Sequence, residues 1–241
     1  MGAIVVIAAS AGGLEPLRRI IAALPLPCAA SVFVVRHIGC NTSVLPFLLA
    51  RAGLPASLAR EGVLIEAGHI YVAPPDHHMI LEPHRIRLSH GPKVNHTRPA
   101  ADPLFETAAE AYGNRVVGVV LSGGGSDGAA GLQAIKAHCG TAFVQHPDEA
   151  TAPSMPKTAI AAGQPDACLP VSEIAQRVRC IMLAGPSQRL FTALILGGPL
   201  SKTDCATICD VNETERPQGT HMRLNHDTSP TCLRVDRGFT R

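Results

Sequence analysis

The sequence predicts an α/β fold, a three-layer α/β/α sandwich built on a mainly parallel sheet with a small antiparallel excursion. Three apolar runs rich in β-branched residues, at 4–7, 32–35 and 116–121, show no polar alternation. Such runs are typical of strands buried on both faces, as in a parallel sheet covered by helices. A segment with helical spacing of apolar residues follows each run, as the crossovers of a parallel sheet require.

The first strand leads directly into Ser10, the glycines at 12 and 13, and a helix that carries Pro16 in its first turn. Ser10 is therefore expected at the carboxyl end of a buried strand beside a helix N-terminus. Negative charge is favoured there, and ligands of open α/β sheets bind there. Two other interpretations stay open at this point. Ser10 could cap the helix, or the glycines could cradle a phosphate, although G-x-G-x-x-G and G-K-[ST] are both absent.

His37 and Asp127 also follow predicted strands. Asp127 belongs to the run Ser-Gly-Gly-Gly-Ser-Asp-Gly at 122–128, where it could cap the next helix or orient a histidine. Three strand ends at one sheet edge thus bring together the residue types of a catalytic triad. In that interpretation His37 takes the proton of Ser10, Asp127 holds the imidazole, and backbone N–H groups bind the oxyanion. The chain order Ser, His, Asp differs from the three familiar orders, which implies a distinct fold.

Short apolar segments at 70–73, 79–81 and 86–88, separated by turns, indicate an antiparallel excursion at the sheet edge. Further elements are expected as a helix over 104–112, a strand at 142–144, and a helix from Ser172, its cap, to about 183. Composition changes beyond Gly185. We expect a catalytic domain over 1–184 and a poorly ordered tail over 185–241.

Composition excludes several functions. The net charge of +2 and an aromatic content of 3% offer neither the basic surface nor the stacking side chains of a nucleic-acid-binding protein. No apolar run approaches the roughly 20 residues of a membrane span, and no secretory signal opens the chain, so a cytoplasmic protein without membrane insertion is expected. Scattered cysteines predict reduced thiols.

A metal site and a cofactor are not expected. The tail pattern Cys205-x3-Cys209, followed by His221-x4-His226, approaches zinc-finger spacing. However, the interval between the two pairs is one residue short, and Pro217 would interrupt the helix. The histidines between 69 and 84 lack cysteine or carboxylate neighbours in ligand spacing.

Over about residues 4–183 the sequence resembles the catalytic domain of the chemotaxis protein-glutamate methylesterases, the CheB family. Several separate motifs carry the resemblance: Ala9-Ser10-Ala11-Gly12-Gly13, Arg36-His37-Ile38, residues 70–77 (Ile-Tyr-Val-Ala-Pro-Pro-Asp-His), Arg98-Pro99, Asp102-Pro103-Leu104-Phe105, residues 123–128 (Gly-Gly-Gly-Ser-Asp-Gly), Gln145-His146-Pro147 and Met155-Pro156.

The resemblance implies an α/β sandwich and the triad of Ser10, His37 and Asp127. It implies a serine hydrolase that cleaves glutamyl 5-O-methyl esters on chemoreceptors, releases methanol, and also deamidates receptor glutamines. Backbone groups of Ala11 and Gly124 would form the oxyanion hole, although Gly124 stands where the family usually has methionine. Arg98 is expected to bind substrate.

The sequence departs from the family elsewhere too: Arg36 replaces the glutamine before the catalytic histidine, and His146 replaces an aspartate. Because Ser10 lies nine residues after Met1, we expect a stand-alone enzyme without the receiver domain of regulated members. The expected partners are a methylated chemoreceptor and a receptor methyltransferase of the same pathway. The alternatives are a catalytically weak CheB-like binding module in sensory signalling and, less favoured, a phosphate-binding α/β protein.

Overall fold

The computed structural model describes residues 2–37 and 44–183 of the 241-residue chain. Its strands are β1 (Ile4–Ala9), β2 (Ser31–Arg36), β3 (Ala56–Leu58), β4 (Ile70–Val72), β5 (His78–Glu82), β6 (Arg85–Ser89), β7 (Val116–Val120), β8 (Thr141–Gln145) and β9 (Ala167–Leu169). Its helices are α1 (Leu14–Ala22), α2 (Leu45–Ala50), α3 (Ala101–Tyr112), α4 (Ala129–Ala137), α5 (Ser154–Gly163) and α6 (Val171–Leu183).

Within these residues the strands form a seven-stranded sheet in the order β3-β4-β2-β1-β7-β8-β9, and every neighbouring pair is parallel. The antiparallel pair β5-β6 forms a separate two-stranded sheet. The predicted α/β class, with a mainly parallel sheet and a small antiparallel excursion, is confirmed.

Both faces of the sheet are covered, which explains the unbroken apolar runs. All six residues of β1 are buried, and they alternate between two cores. One core holds Val5 and Ile7 with apolar side chains of α1, α2 and α6. The other holds Ile4 and Val6 with side chains of α3, α4 and α5. A strand with helices on both sides has no solvent-facing position for a polar residue.

Three details of the sequence prediction were wrong. Residues 70–72 are not part of the antiparallel excursion, because β4 pairs in parallel with both β2 and β3. Helix α3 starts at Ala101 rather than at 104, since Pro103 is tolerated in a first turn. Ser172 lies inside α6 and does not cap it: the Pro170 carbonyl accepts from the N–H groups of Glu173 and Ile174.

One prediction falls outside the described residues, namely the tail over 185–241 with its cysteine and histidine pattern. None of the helices in the described part is long and apolar enough to cross a membrane. No group of three or more potential metal-ligating side chains occurs in that part either.

The sheet brings the ends of β1, β2 and β7 to one edge. Ala9 is in register with Arg36 of β2, and Ala8 is in register with Val120 of β7. The residues that follow each strand are therefore neighbours across the carboxyl edge, where parallel strands lie about 4.8 Å apart.

Candidate functional site

Ser10 is the first residue after β1, and its backbone is held from two sides. Its N–H donates to the Ser122 carbonyl at 3.0 Å, and its carbonyl accepts from the Gly13 N–H at 3.0 Å. Gly13 is the N-cap of α1 and makes no side-chain capping bond. Ser10 is thus not the cap of α1, and its half-buried side chain stands at the carboxyl edge of the sheet.

Two glycines leave room for the side chains that pack around the serine turn. Gly12 has φ of +72°, and a Cβ there would lie 2.4 Å from the Thr151 Cβ. A Cβ on Gly123 would lie 2.8 Å from the Ser10 Cβ and equally close to the Met155 sulfur. These distances are shorter than any side chain tolerates, so the glycines at both positions are required by packing against the serine turn.

His37 is placed beside Ser10 by strand register. Since Ala9 pairs with Arg36, the next residues of the two strands, Ser10 and His37, are also adjacent, and the His37 N–H donates to the Ala9 carbonyl at 3.3 Å. The His37 Nε2 lies 2.7 Å from Oδ2 of Asp127. The histidine side chain is 15% exposed and that of the aspartate 2% exposed, so the pair is largely shielded from water.

Asp127 is bound by two backbone groups at the start of α3 as well as by His37. The Ala101 N–H donates to Oδ2 at 2.6 Å, and the Asp102 N–H donates to Oδ1 at 3.1 Å. Burial raises the pKa of Asp127, but the bonds from His37 and these N–H groups outweigh burial and hold that pKa below its ordinary value. Asp127 is therefore an ionised acceptor, and the His37 Nε2 must carry the proton between them.

Asp127 does not cap the helix that follows it in sequence. The N-cap of α4 is Gly128, without a side-chain bond. Instead, the carboxylate of Asp102 accepts from the N–H groups of Gly128 at 2.9 Å and Gly131 at 2.7 Å. The two helices thus exchange carboxylates: Asp127 lies at the start of α3, and Asp102 lies at the start of α4.

Asn95 lies between the two carboxylates. Its Nδ2 donates to Asp102 Oδ2 at 2.7 Å and to Asp127 Oδ1 at 3.2 Å, while its Oδ1 accepts from the Ser126 hydroxyl at 3.3 Å. Asn95 has φ of +49°, a left-handed conformation that asparagine tolerates better than most residues. One amide therefore ties both acids together.

The backbone N–H groups of Ala11 and Gly124 donate to no group within residues 2–37 and 44–183. Because a peptide group is planar, the bond between the Ser10 carbonyl and Gly13 also fixes the direction of the Ala11 N–H. The Ser122 hydroxyl donates to the Ala11 carbonyl at 2.8 Å. A Cβ added at Gly124 would meet nothing within 4 Å, so space is open above this part of the loop.

The Arg98 guanidinium is bound by its own loop. Its Nε and Nη2 donate to Asp76 Oδ1 at 2.9 and 2.7 Å, and its Nη1 donates to the carbonyls of His90 and Gly91 at 3.1 and 2.6 Å. These bonds hold the loop that leads into α3. The structure does not bring Arg98 into hydrogen-bond contact with Ser10, His37 or Asp127, and its role in substrate binding stays a prediction.

No pattern in the sequence indicates a role for Asn95, Asp102 or Ser122. Asn95 and Asp102 lie in motifs that carried the resemblance or beside them, but nothing in their spacing indicated that they meet Asp127. In the sequence, Ser122 resembles any residue at the end of a strand. In the structure it is fully buried, and its N–H donates to the Gln145 amide oxygen at 2.8 Å. A buried polar residue next to glycines is the signal that could have found it.

A parallel α/β sheet with serine, histidine and aspartate at adjacent strand ends, and free N–H groups beside the serine, is the arrangement of a serine hydrolase. Comparison with known proteins narrows this class. A profile of the CheB methylesterase family matches residues 5–178. The chain belongs to the CheB methylesterase family and is a carboxylic ester hydrolase.

Two relatives carry the name protein-glutamate methylesterase/protein-glutamine glutaminase. One, from Leptospira interrogans, is 38% identical over 175 residues, which cover 71% of this chain and 91% of the relative. Another, from Anaeromyxobacter dehalogenans, is 39% identical over 181 residues, 73% of this chain and 53% of the relative. The crystal structure of the Thermotoga maritima CheB methylesterase catalytic domain matches with a TM-score of 0.71 and 32% identity, covering 75% of this chain and 99% of that one.

Proposed function

We propose that this protein hydrolyses glutamyl 5-O-methyl esters on methylated chemoreceptors, with Ser10 as nucleophile, His37 as base and Asp127 as the orienting acid. One observation carries the proposal: Ser10 is adjacent to His37, whose Nε2 lies 2.7 Å from a buried, ionised Asp127. The relatives' names support the choice of substrate.

The reaction is acyl transfer in two halves. Since Nε2 of His37 donates to Asp127, its Nδ1 is the nitrogen that takes the Ser10 proton as Oγ attacks the ester carbonyl carbon. The N–H groups of Ala11 and Gly124 bind the oxyanion. Collapse of the tetrahedral intermediate breaks the bond to the methoxy group, which leaves as methanol with the proton from His37.

The second half regenerates the enzyme. Water attacks the acyl-serine while His37 takes its proton, and collapse returns that proton to Ser10 and releases the glutamate side chain. A primary amide reacts by the same route with ammonia as the leaving group. Glutamine deamidation therefore needs no additional residue, in line with the two activities that the relatives' names combine. A receptor methyltransferase of the same pathway would supply the ester.

The activity is assigned to residues 1–184. The family match ends at 178, and the three proposed catalytic residues with their contacts lie before it. A chain that ends at residue 184 should keep the kcat of the full chain to within about twofold. A larger loss, with cooperative melting retained, would assign part of the activity to residues 185–241.

The direct test is active-site labelling. A fluorophosphonate should modify Ser10 of the full chain, as read by peptide mass spectrometry, and Ser10→Ala should abolish both labelling and methanol release from a glutamyl methyl ester peptide. Ser172→Ala in α6 is the matched control and should label like the parent. Labelling of another residue, or undiminished methanol release by Ser10→Ala, would contradict the proposal and favour the CheB-like binding module.

A further inference from the structure

Arg36 is the last residue of β2 and the neighbour of His37 in sequence. It is in register with Ala9, the residue before Ser10. With strands about 4.8 Å apart and a rise of about 3.3 Å per residue, its backbone lies roughly 6 Å from that of Ser10. Arg36 is therefore the residue of β2 nearest to the proposed nucleophile, and in this segment only His37, just after the strand, is nearer.

The Arg36 side chain faces away from the Asp127 network. Side chains alternate along a strand, and Val32 and Val34 of β2 pack in the core beneath α1, α2 and α6, whereas Phe33 and Val35 pack on the α3 side. Arg36 continues the first set. The Arg36 side chain therefore lies on the face of the sheet that α1 covers, the same face as Ala9.

The Nε of the half-buried Arg36 has no hydrogen-bond partner among the described residues of the protein. This atom is buried, and the side chain forms no ion pair with any described residue. Arg51 also forms no ion pair with the described residues but is exposed to solvent, whereas the Arg36 Nε is buried. A buried donor without an acceptor costs free energy. In native structures an ordered water, an ion or a ligand supplies the partner of such a group.

The chemistry of the missing partner follows from the guanidinium. Its planar fork of N–H donors matches a carboxylate, with which it forms paired, charge-assisted bonds. Hydrolysis of a glutamyl ester itself produces a carboxylate, and a substrate with several such sites carries carboxylates beside its remaining esters. On a helix, side chains three or four residues apart lie on the same face, so one helical segment can present an ester and a carboxylate to the same edge of the sheet.

We infer that Arg36 binds a carboxylate of the substrate protein while the ester occupies Ser10, and so selects esters that lie beside a glutamate. The inference rests on the proposed function and names its preferred substrate. Two sources share this chemistry: a neighbouring glutamate side chain, and the glutamate released by the reaction. In the first case, each hydrolysed ester improves binding of the next ester along the segment.

The test measures binding to the full chain carrying Ser10→Ala, so that no turnover occurs. Fluorescence anisotropy is recorded with helical peptides that hold one glutamyl methyl ester and have either glutamate or glutamine four residues away. The glutamate peptide should bind at least about tenfold more tightly, the effect of one charge-assisted bond. Adding Arg36→Gln should bring the ratio of the two affinities close to one.

Arg51→Gln is the matched control, since Arg51 is an exposed arginine just after α2 that forms no ion pair with the described residues. It should keep the tenfold ratio. A third peptide, with glutamate in place of the ester and glutamine as neighbour, separates the two sources. If the first two peptides bind equally, tighter binding of this peptide than of its ester form, lost in Arg36→Gln, would identify the released glutamate as the ligand and contradict selection by a neighbouring glutamate.

Arg36→Lys keeps the charge without the fork and should retain part of the ratio, which guards against an Arg36→Gln chain that melts early. If Arg36→Gln leaves the ratios of all three peptides unchanged, the inference is overturned. Ester hydrolysis by the parent chain is measured separately. Ser10-dependent turnover without any carboxylate preference would remove the role of Arg36 and leave the proposed function intact.

Discussion

Asp127 and Asp102 are two buried carboxylates at the same edge of the sheet, and each receives backbone N–H groups from the start of a helix. The pKa of Asp127 is lowered, whereas that of Asp102 is raised, mainly by burial and further by the charge of Asp127. His37 makes the difference, because it donates to Asp127 alone. Two similarly buried carboxylates thus differ in their partners. Asp127 binds a histidine, whereas Asp102 binds backbone N–H groups and Asn95.

Asp127→Asn should have the largest effect, because it removes the carboxylate that accepts from His37. The amide oxygen can replace Oδ2, which faces His37 and the Ala101 N–H, or Oδ1, which faces the Asp102 N–H, but its NH2 must then face donors on the other side. We expect kcat for the methyl ester to fall on the order of 10⁴, the loss that follows from a misoriented histidine in serine hydrolases. A decrease of only a fewfold would reduce Asp127 to a helix cap.

Asp102→Asn should instead affect stability more than activity. The amide oxygen can still accept from Gly128 and Gly131, but Nδ2 would face the donating Nδ2 of Asn95. We expect the free energy of unfolding to fall by about 1–3 kcal/mol, measured in urea, with less than a tenfold loss of kcat. A loss of activity equal to that of Asp127→Asn, in a folded chain, would make the two acids equivalent.

Asn95→Ala removes the amide that both acids share, and should lower kcat about tenfold at unchanged KM, since each carboxylate loses one of its bonds. Asn95→Asp should be worse than alanine at neutral pH, because it adds a third negative charge, and should recover as the pH falls. Ser126→Ala, which removes only a bond to Asn95, is the control. Equal pH profiles for the alanine and aspartate variants would exclude the electrostatic account.

The fold was predictable where one local pattern decided the outcome. The runs at 4–7, 32–35 and 116–121 are buried on both faces, and no arrangement other than a covered sheet accommodates them. Strand β3 escaped prediction because three residues show no period, and β4 was assigned to the wrong sheet because strand pairing depends on distant partners.

The residues of the candidate site were likewise predictable only in part. Ser10, His37 and Asp127 could be singled out because each follows a strand at the same edge. The contacts of Asn95 with Asp102 and Asp127 span 7 and 32 residues and depend on a loop with left-handed backbone, so no spacing rule indicates them. The unpaired Arg36 is likewise visible only once its neighbours are placed.

The smallest expected effect is on the pH dependence of stability. As the pH falls, protonation of Asp127 should lower the free energy of unfolding, whereas protonation of Asp102 should raise it. The folded pKa of Asp127 is lowered, so its contribution is present above its unfolded pKa of about 3.9 and lost as the pH falls through the folded value. The folded pKa of Asp102 is raised, so its ionisation opposes folding as the pH rises through that value.

Urea unfolding between pH 3 and 6 checks this for the parent and the two asparagine variants. The stability advantage of the parent over Asp127→Asn should shrink toward low pH, while its advantage over Asp102→Asn should grow. Parallel curves for the two variants would show that the acids titrate alike, and would remove the distinction between them.

The exchange of carboxylates between α3 and α4 also has a consequence for folding cooperativity. The N–H groups of Ala101 and Asp102 are bound to Asp127, and those of Gly128 and Gly131 to Asp102, so neither helix start can open without releasing the other. Amide hydrogens at these four positions should exchange together and only by global unfolding, at one common rate in native-state exchange. Protein chains that retain their tertiary structure would then hold Asp127 in place as well.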